Sequence, residues 1–407
     1  MFMRFSFSIG RRWRSRRLLA SVVLAVAAIV ATAVSFAGGA GAARQRASAA
    51  PTQLPPAAVA PPGNGAAVAQ YWTADRMAAA TPLTPQISGG GGAAAVQAGA
   101  AATGNPGVAG GFDPSAGSAP SGAAAAYMAM PSTSSPSAGA QPFDGAYAGP
   151  NDTYNYPGAL KTFPASTVGK LFFTEPGVGN FVCSAAATYG GGTKNMVWTA
   201  GHCVGAQGGR AYYSNWLFCP QYNNGEGPKG CYTWALAQQT GGWYFNGYWS
   251  ADYAYLYMAP TSDKVAKPLV SAVGGLGFSW NWGRDQHWAD FGYPSASPYN
   301  GAYMVVSESE HRYDVANPGG DPGQPDNSIG SSQTPGFSGG PWILSFGPKN
   351  ANDPIGHGNW INSVNSYYFT SGGPGGGNEY GREIQGPYFD TNACNFWKGG
   401  SGWTGSC

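Results

Sequence analysis

The sequence predicts an all-β unit over residues 154–407, long enough for two packed barrels, and three observations predict it. Trp, Tyr and Phe recur every few residues in that block, Gly-rich turns separate its short apolar runs, and no run sustains a helical period. A block of this length buries an ample core.

The residues before it have another character. Residues 44–153 are dominated by Ala, Gly, Pro and Ser, with few large apolar side chains to offset the entropy of ordering the backbone. They are expected to be a disordered N-terminal extension, acting as a linker or pro-segment. Residues 1–43 read as an export signal: Arg4, Arg11, Arg12, Arg14, Arg16 and Arg17, an apolar run over 18–36, then the small residues GGAGAAR with a cleavage site near 40–43. The alternative is an uncleaved membrane anchor, because the apolar run is long enough to span a bilayer. SRRLL at 15–19 is a weak match to a twin-arginine signal. A secreted protein of bacterial type is the expectation.

Formal net charge is +2. The N-terminal arginines leave with the targeting segment, and no basic stripe with interleaved aromatics survives, which argues against a nucleic-acid partner. All six cysteines fall in the C-terminal block, at 183, 203, 219, 231, 394 and 407. An even count behind an export signal argues for disulfides; six thiols allow fifteen pairings, and local spacing favours Cys183 with Cys203, Cys219 with Cys231 and Cys394 with Cys407. Zinc is a poor reading, since only Cys203 has a histidine beside it and no C-x2-C pair exists.

Within the extension one segment stands out, AVAQYWTADRMAAATPL at 67–83, where Val68, Trp72 and Met77 fall on one side of a short helix. Thr73 or Gln70 can support its start and Pro82 ends it. It reads either as a chance helical patch or as a propeptide element that docks on the immature protein. TVGKLFFT at 167–174 alternates as a first strand. Next, 181–188 and 196–200, joined by a Gly-rich turn at 190–193, describe a β-hairpin. Cys183 and Cys203 then lie on adjacent chains, and a bridge between them clamps the loop bearing His202.

Three strings carry parts that serine-based amide hydrolysis needs, in the chain order His, Asp, Ser. In VWTAGHC (197–203) an apolar strand ends in small residues that open His202 to a cleft. In SADYAYLYM (250–258) Asp252 stands at the mouth of an alternating strand, placed to accept from an imidazole N–H. Asp263 competes with it but lies in an expected turn, TSDK. In TPGFSGGPW (334–342) glycines allow a tight turn that exposes the Ser338 hydroxyl and leaves the N–H groups of Gly336 and Ser338 to converge as an oxyanion hole. His287, His311 and His357 lack comparable framing.

TAGHC, DYAYL and GFSGGP resemble the three signature strings of the trypsin and chymotrypsin family, and FGYP (291–294) and GPYF (386–389) resemble strands of its second barrel. The match is nearest the bacterial secreted branch that includes glutamyl endopeptidases. The resemblance implies two six-stranded antiparallel β-barrels and a serine endopeptidase with His202, Asp252 and Ser338 as triad, polypeptides as substrates and no cofactor. A monomer is the expected state. An Asp often precedes the nucleophile in this family and pairs with a new N-terminus; Phe337 stands there, so the extension is expected to inhibit by steric cover instead. The substrate pocket is expected from Ser332, at its base by resemblance, with Thr334, Ser366 and Gly386 around it. An acid is missing at Ser332, which disfavours Lys or Arg, and the pocket strand lacks the histidine of glutamyl specificity unless His357, in the insertion PKNANDPIGHGN, reaches it. Neutral or aromatic side chains are the expected preference. Asp314, Asp321 and Asp326 in the loop 314–330 lack the spacing of a calcium loop, so a solvated loop is expected. The competing readings are an inactive binding module that uses its aromatic residues, and an esterase with the same triad.

Overall fold

In the computed structural model the described residues are 53–88, 96–97, 104–114, 152–155, 162–225, 227–347, 358–373 and 378–407, all within the unit Ala47–Cys407. The expected export signal and His357 lie outside them.

Alternation of apolar and small residues makes Val168–Glu175 and Gly179–Ala187 a long hairpin, paired antiparallel from Val168↔Ala186 to Glu175↔Gly179. Met196–Thr199, Ser214–Pro220, Tyr232–Gln239 and Ala254–Met258 join it. These six strands close into one antiparallel barrel, because Tyr232–Gln239 pairs with Ser214–Pro220 on one side and Ala254–Met258 on the other. Closure joins the six strands into a ring, and the edge stretches it leaves at 236–237 and 181–182 are taken by residues 58–59 and 81–82.

The second sheet does not close, which corrects the expected pair of six-stranded barrels. Its order runs Glu383–Gly386, Asp326–Gly330, Val305–Val315, His287–Gly292, Pro341–Leu344, Trp360–Val364, Gly277–Trp280. At the last of these, the outer edge is taken by Gly107–Ala109 from the extension, so it is satisfied without meeting the far end of the sheet. Trp288, Trp342, Trp360, Ile329 and Ile384 form the core of this half. Phe278 stacks on Phe389 and Trp397, joining the sheet to the C-terminal helix Thr391–Ser401. Asp390 caps that helix by accepting from Asn392 N and Ala393 N, and Cys394–Cys407 ties down the chain end. The other two disulfides are Cys183–Cys203 and Cys219–Cys231.

Residues 53–88 of the extension are not disordered. Ala58–Val59 adds antiparallel to Tyr232–Gln239 as an extra strand. Two short helices follow, Asn64–Tyr71 and Ala74–Ala78, the second capped by the Thr73 hydroxyl. Val68 and Trp72 are buried; Trp72 packs on Phe172 and donates to Asn215 O at 2.6 Å, while Tyr71 donates to Asn180 at 2.8 Å. Average composition misled because the few large side chains sit together, opposite barrel strands able to bury them. The segment 67–83 is packed on the barrel through Val68 and Trp72.

Candidate active site

The Met196–Thr199 strand ends in a tight turn at Gly201–Cys203, which holds His202 while Cys203 is bonded to Cys183 on the neighbouring strand. Asp252 follows a similar turn, Trp249–Ala251, and is fully buried ahead of Ala254–Met258. Its Oδ1 accepts from His202 N at 2.8 Å. Its Oδ2 accepts from His202 Nδ1 at 2.8 Å and from Ser366 Oγ at 2.5 Å. A buried carboxylate without donors is costly, and three donors answer that cost. They also fix the ring so that Nε2 is the nitrogen left to act as a base; Nε2 is buried and has no hydrogen-bond partner.

Ser338 lies on the turn before Pro341–Leu344. Ser184 N donates to its carbonyl at 2.7 Å, and the same carbonyl lies 3.7 Å from Cys203 Sγ, so the turn rests against the loop that bears His202. Gly336 and Gly339 have φ of 106° and 75°, a backbone region that disfavours side chains. Ser338 Oγ is 2.6 Å from Thr84 Oγ1, and Gly336 N is 3.4 Å from Leu83 O. Sequence reasoning missed Thr84 and Leu83; nothing local in TPLTPQIS marks them.

Of the expected pocket residues, Ser332 Oγ meets Tyr299 OH at 3.0 Å and Thr334 donates to Ala296 O at 2.6 Å. Ser366 and Gly386 are corrections. The Ser366 hydroxyl is turned onto Asp252, where the buried charge attracts it. A side chain at Gly386 would meet Ser363, Val364 O and Trp342 within the sheet, so this residue is interior rather than a pocket wall. Ser366→Ala is expected to slow any turnover that depends on His202 by at least about tenfold, since one charge-assisted bond is worth about 1.5–3 kcal/mol; steady-state kinetics checks it.

Phe337 is buried, and the carboxyl behind the Ser338 turn is Asp290 instead. Asn365 donates to it at 2.6 Å and Ser331 at 2.8 Å, and Asn365 also bonds Gly339 N and Gly340 O through its backbone. Burial pushes the Asp290 carboxyl up to about 7, against the opposing pull of hydrogen bonds from Asn365, Ser331 and Gln333. An ordinary carboxyl ionises near 3.8 in the unfolded chain, so between about pH 4 and 7 only the unfolded state gains the charge. Stability from this group is fully present below about pH 4 and is lost as pH rises to 7, at up to about 1.4 kcal/mol per pH unit. Asp290→Asn is expected to flatten that fall; urea midpoints at pH 4.5 and 7.5 report it.

The acidic loop is not solvated throughout. Asp326–Gly330 is a buried strand, Asp321 accepts from Ser250 N and Oγ, Asp314 pairs with Arg284 at 3.1 Å and His311 at 2.9 Å, and Tyr367 donates to Asp326 at 2.9 Å. Each acid thus serves a different partner. His287 is half-exposed, 3.9 Å from Glu308. Among the described residues the one cluster with metal-ligand potential is Cys183, His202 and Cys203, but its two sulfurs are joined and offer no thiolate.

No known family description matches the chain, and no curated protein is similar to it. Solved structures are. Protease Anisep from Arthrobacter nicotinovorans is 29% identical, covering 62% of this chain and 100% of that one, with a TM-score of 0.48. A thermostable serine protease, AL20, from an extremophilic microorganism is 27% identical over 59% of this chain and 98% of its own, with a TM-score of 0.49. A Glu endopeptidase is 15% identical over 63% of this chain and 99% of its own, with a TM-score of 0.46.

Proposed function

We propose that the chain is a secreted serine endopeptidase using His202, Asp252 and Ser338. The observation that carries this reading is the buried Asp252 carboxylate holding Nδ1 of His202 at 2.8 Å while Nε2 stays without a partner, beside a glycine turn that presents Ser338. Ser338 Oγ attacks the scissile carbonyl as Nε2 takes its proton; the oxyanion is held by Gly336 and Ser338 N–H groups; His202 then protonates the leaving amine. Water, deprotonated by His202, releases the acyl group. Residues 1–43 supply export, and neutral or aromatic side chains suit an uncharged pocket base at Ser332.

A binding module would need exposed rings, and the large aromatics here are mostly interior: among the described residues the large exposed hydrophobics are Leu54, Val59, Val178 and Tyr303. The test is a fluorophosphonate probe with casein digestion on the activated protein. The wild type should carry the label on Ser338 and digest casein, and Ser338→Ala should do neither. Casein digestion undiminished in Ser338→Ala ends the proposal; cleavage of esters alone moves it to an esterase.

A further inference from the structure

Resting on the proteolytic reading of Ser338, we infer that residues 81–88 are a built-in inhibitor threaded through the cleft in the direction opposite to a substrate, so that the chain covers its nucleophile without being cut there. The pairing fixes the direction. Thr81 and Pro82 run parallel to Phe181 and Val182, and Gln86, Ile87 and Ser88 run parallel to Tyr368, Phe369 and Ser371, with Thr84 between them at Ser338.

The chemistry fixes what a substrate must do. His202 delivers its proton to the leaving amine, which belongs to the C-terminal half of a cleaved peptide. The Cys183–Cys203 bridge ties the His202 loop to the strand carrying Phe181 and Val182. The C-terminal half of a substrate therefore lies along that strand and its N-terminal half along Tyr368–Ser371. Such a peptide is antiparallel to both strands, whereas residues 81–88 are parallel to both.

The contacts at the nucleophile agree with this direction. The segment presents the Thr84 hydroxyl to Ser338 at 2.6 Å, and that hydroxyl also donates to Leu83 O at 2.7 Å. That bond occupies Ser338 Oγ while His202 Nε2 has no partner, and Leu83 O stands 3.4 Å from Gly336 N, too far for a firmly held oxyanion. Binding strength comes from outside the reacting centre. Ala58–Val59 and Trp72 anchor the segment on the barrel, and Ile87 packs against the buried cluster that includes Trp249, Tyr367 and Phe369.

Direction is tested by a cross-link. Ser88→Cys with Ser371→Cys places two thiols at opposed positions of the parallel pairing, both on exposed residues. The full-length double variant should yield a disulfide-linked peptide pair joining 88 to 371 in an unreduced digest. Lack of that pair, or recovery of a cut between Leu83 and Thr84, overturns the direction. Masking is tested with the fluorophosphonate on the full-length chain. Trp72→Ala, which removes the anchor, should react at least about tenfold faster than wild type. Equal rates overturn the masking. Should neither full-length chain nor activated enzyme take the label, the proteolytic reading fails, and the cross-link still reports the direction of the segment.

Discussion

Asp252→Asn is expected to lower kcat on a peptide substrate about ten-thousand-fold, with KM nearly unchanged. The carboxylate accepts three hydrogen bonds, from His202 N, His202 Nδ1 and Ser366 Oγ. An amide offers one oxygen and one NH2 in their place. If the oxygen keeps His202 N, the NH2 faces Nδ1, and the imidazole must move its proton to Nε2. Nε2 then has no lone pair with which to accept the Ser338 proton. The ring stays where the Cys183–Cys203 bridge and Gly201–Cys203 turn hold it, so substrate binding survives while turnover falls. Kinetics of the activated variant measure it, with a thermal melt as the control for folding. A loss below about tenfold, the size expected for Ser366→Ala, would mean that Asp252 orients nothing essential.

The difference between these two substitutions shows which parts of the site the sequence makes legible. His202 and Asp252 stand in strings whose strand-end and turn signals are local, and the fold brings the two side chains into contact across 50 residues. The role of Ser366 depends on a carboxylate 114 residues away, and no local signal separates a serine facing a pocket from one facing a buried charge. Asp290 is equally silent: on a strand buried from Trp288 to Gly292, only the approach of Asn365 and Ser331 makes it the buried carboxyl behind the Ser338 turn. The first barrel was readable because its hairpin is sequential. That the second sheet stays open was not, since it turns on Gly107–Ala109, from a stretch whose composition argues for disorder, capturing the edge of Gly277–Trp280. For the same reason averaging over Ala, Gly and Pro hid Val68 and Trp72, which are buried against the barrel.

Gly339→Ala is expected to cost several kcal/mol of stability and to remove activity with it, although it adds one methyl group. Gly339 has φ of 75°, where a side chain costs about 1–2 kcal/mol before any contact is counted. The added Cβ would then stand 2.0 Å from Thr199 Oγ1, 2.6 Å from Ser184 O and 2.8 Å from Ala200 N. Two of those atoms are backbone. The Ser184 carbonyl also accepts from Thr199 Oγ1, so neither strand can retreat without breaking a buried bond. Relief has to come from the turn itself, which moves Ser338 away from the His202 loop, and a shift of about 1 Å is enough to cost a hundredfold in rate. Gly399→Ala is the matching control. It lies in the C-terminal helix, its Cβ would meet nothing within 4 Å, and alanine there should leave activity intact and raise stability by up to about 1 kcal/mol. Paired melts and turnover numbers for the two variants decide it: a Gly339→Ala protein as stable and active as Gly399→Ala would show that the Ser338 turn is not wedged between the barrel strands.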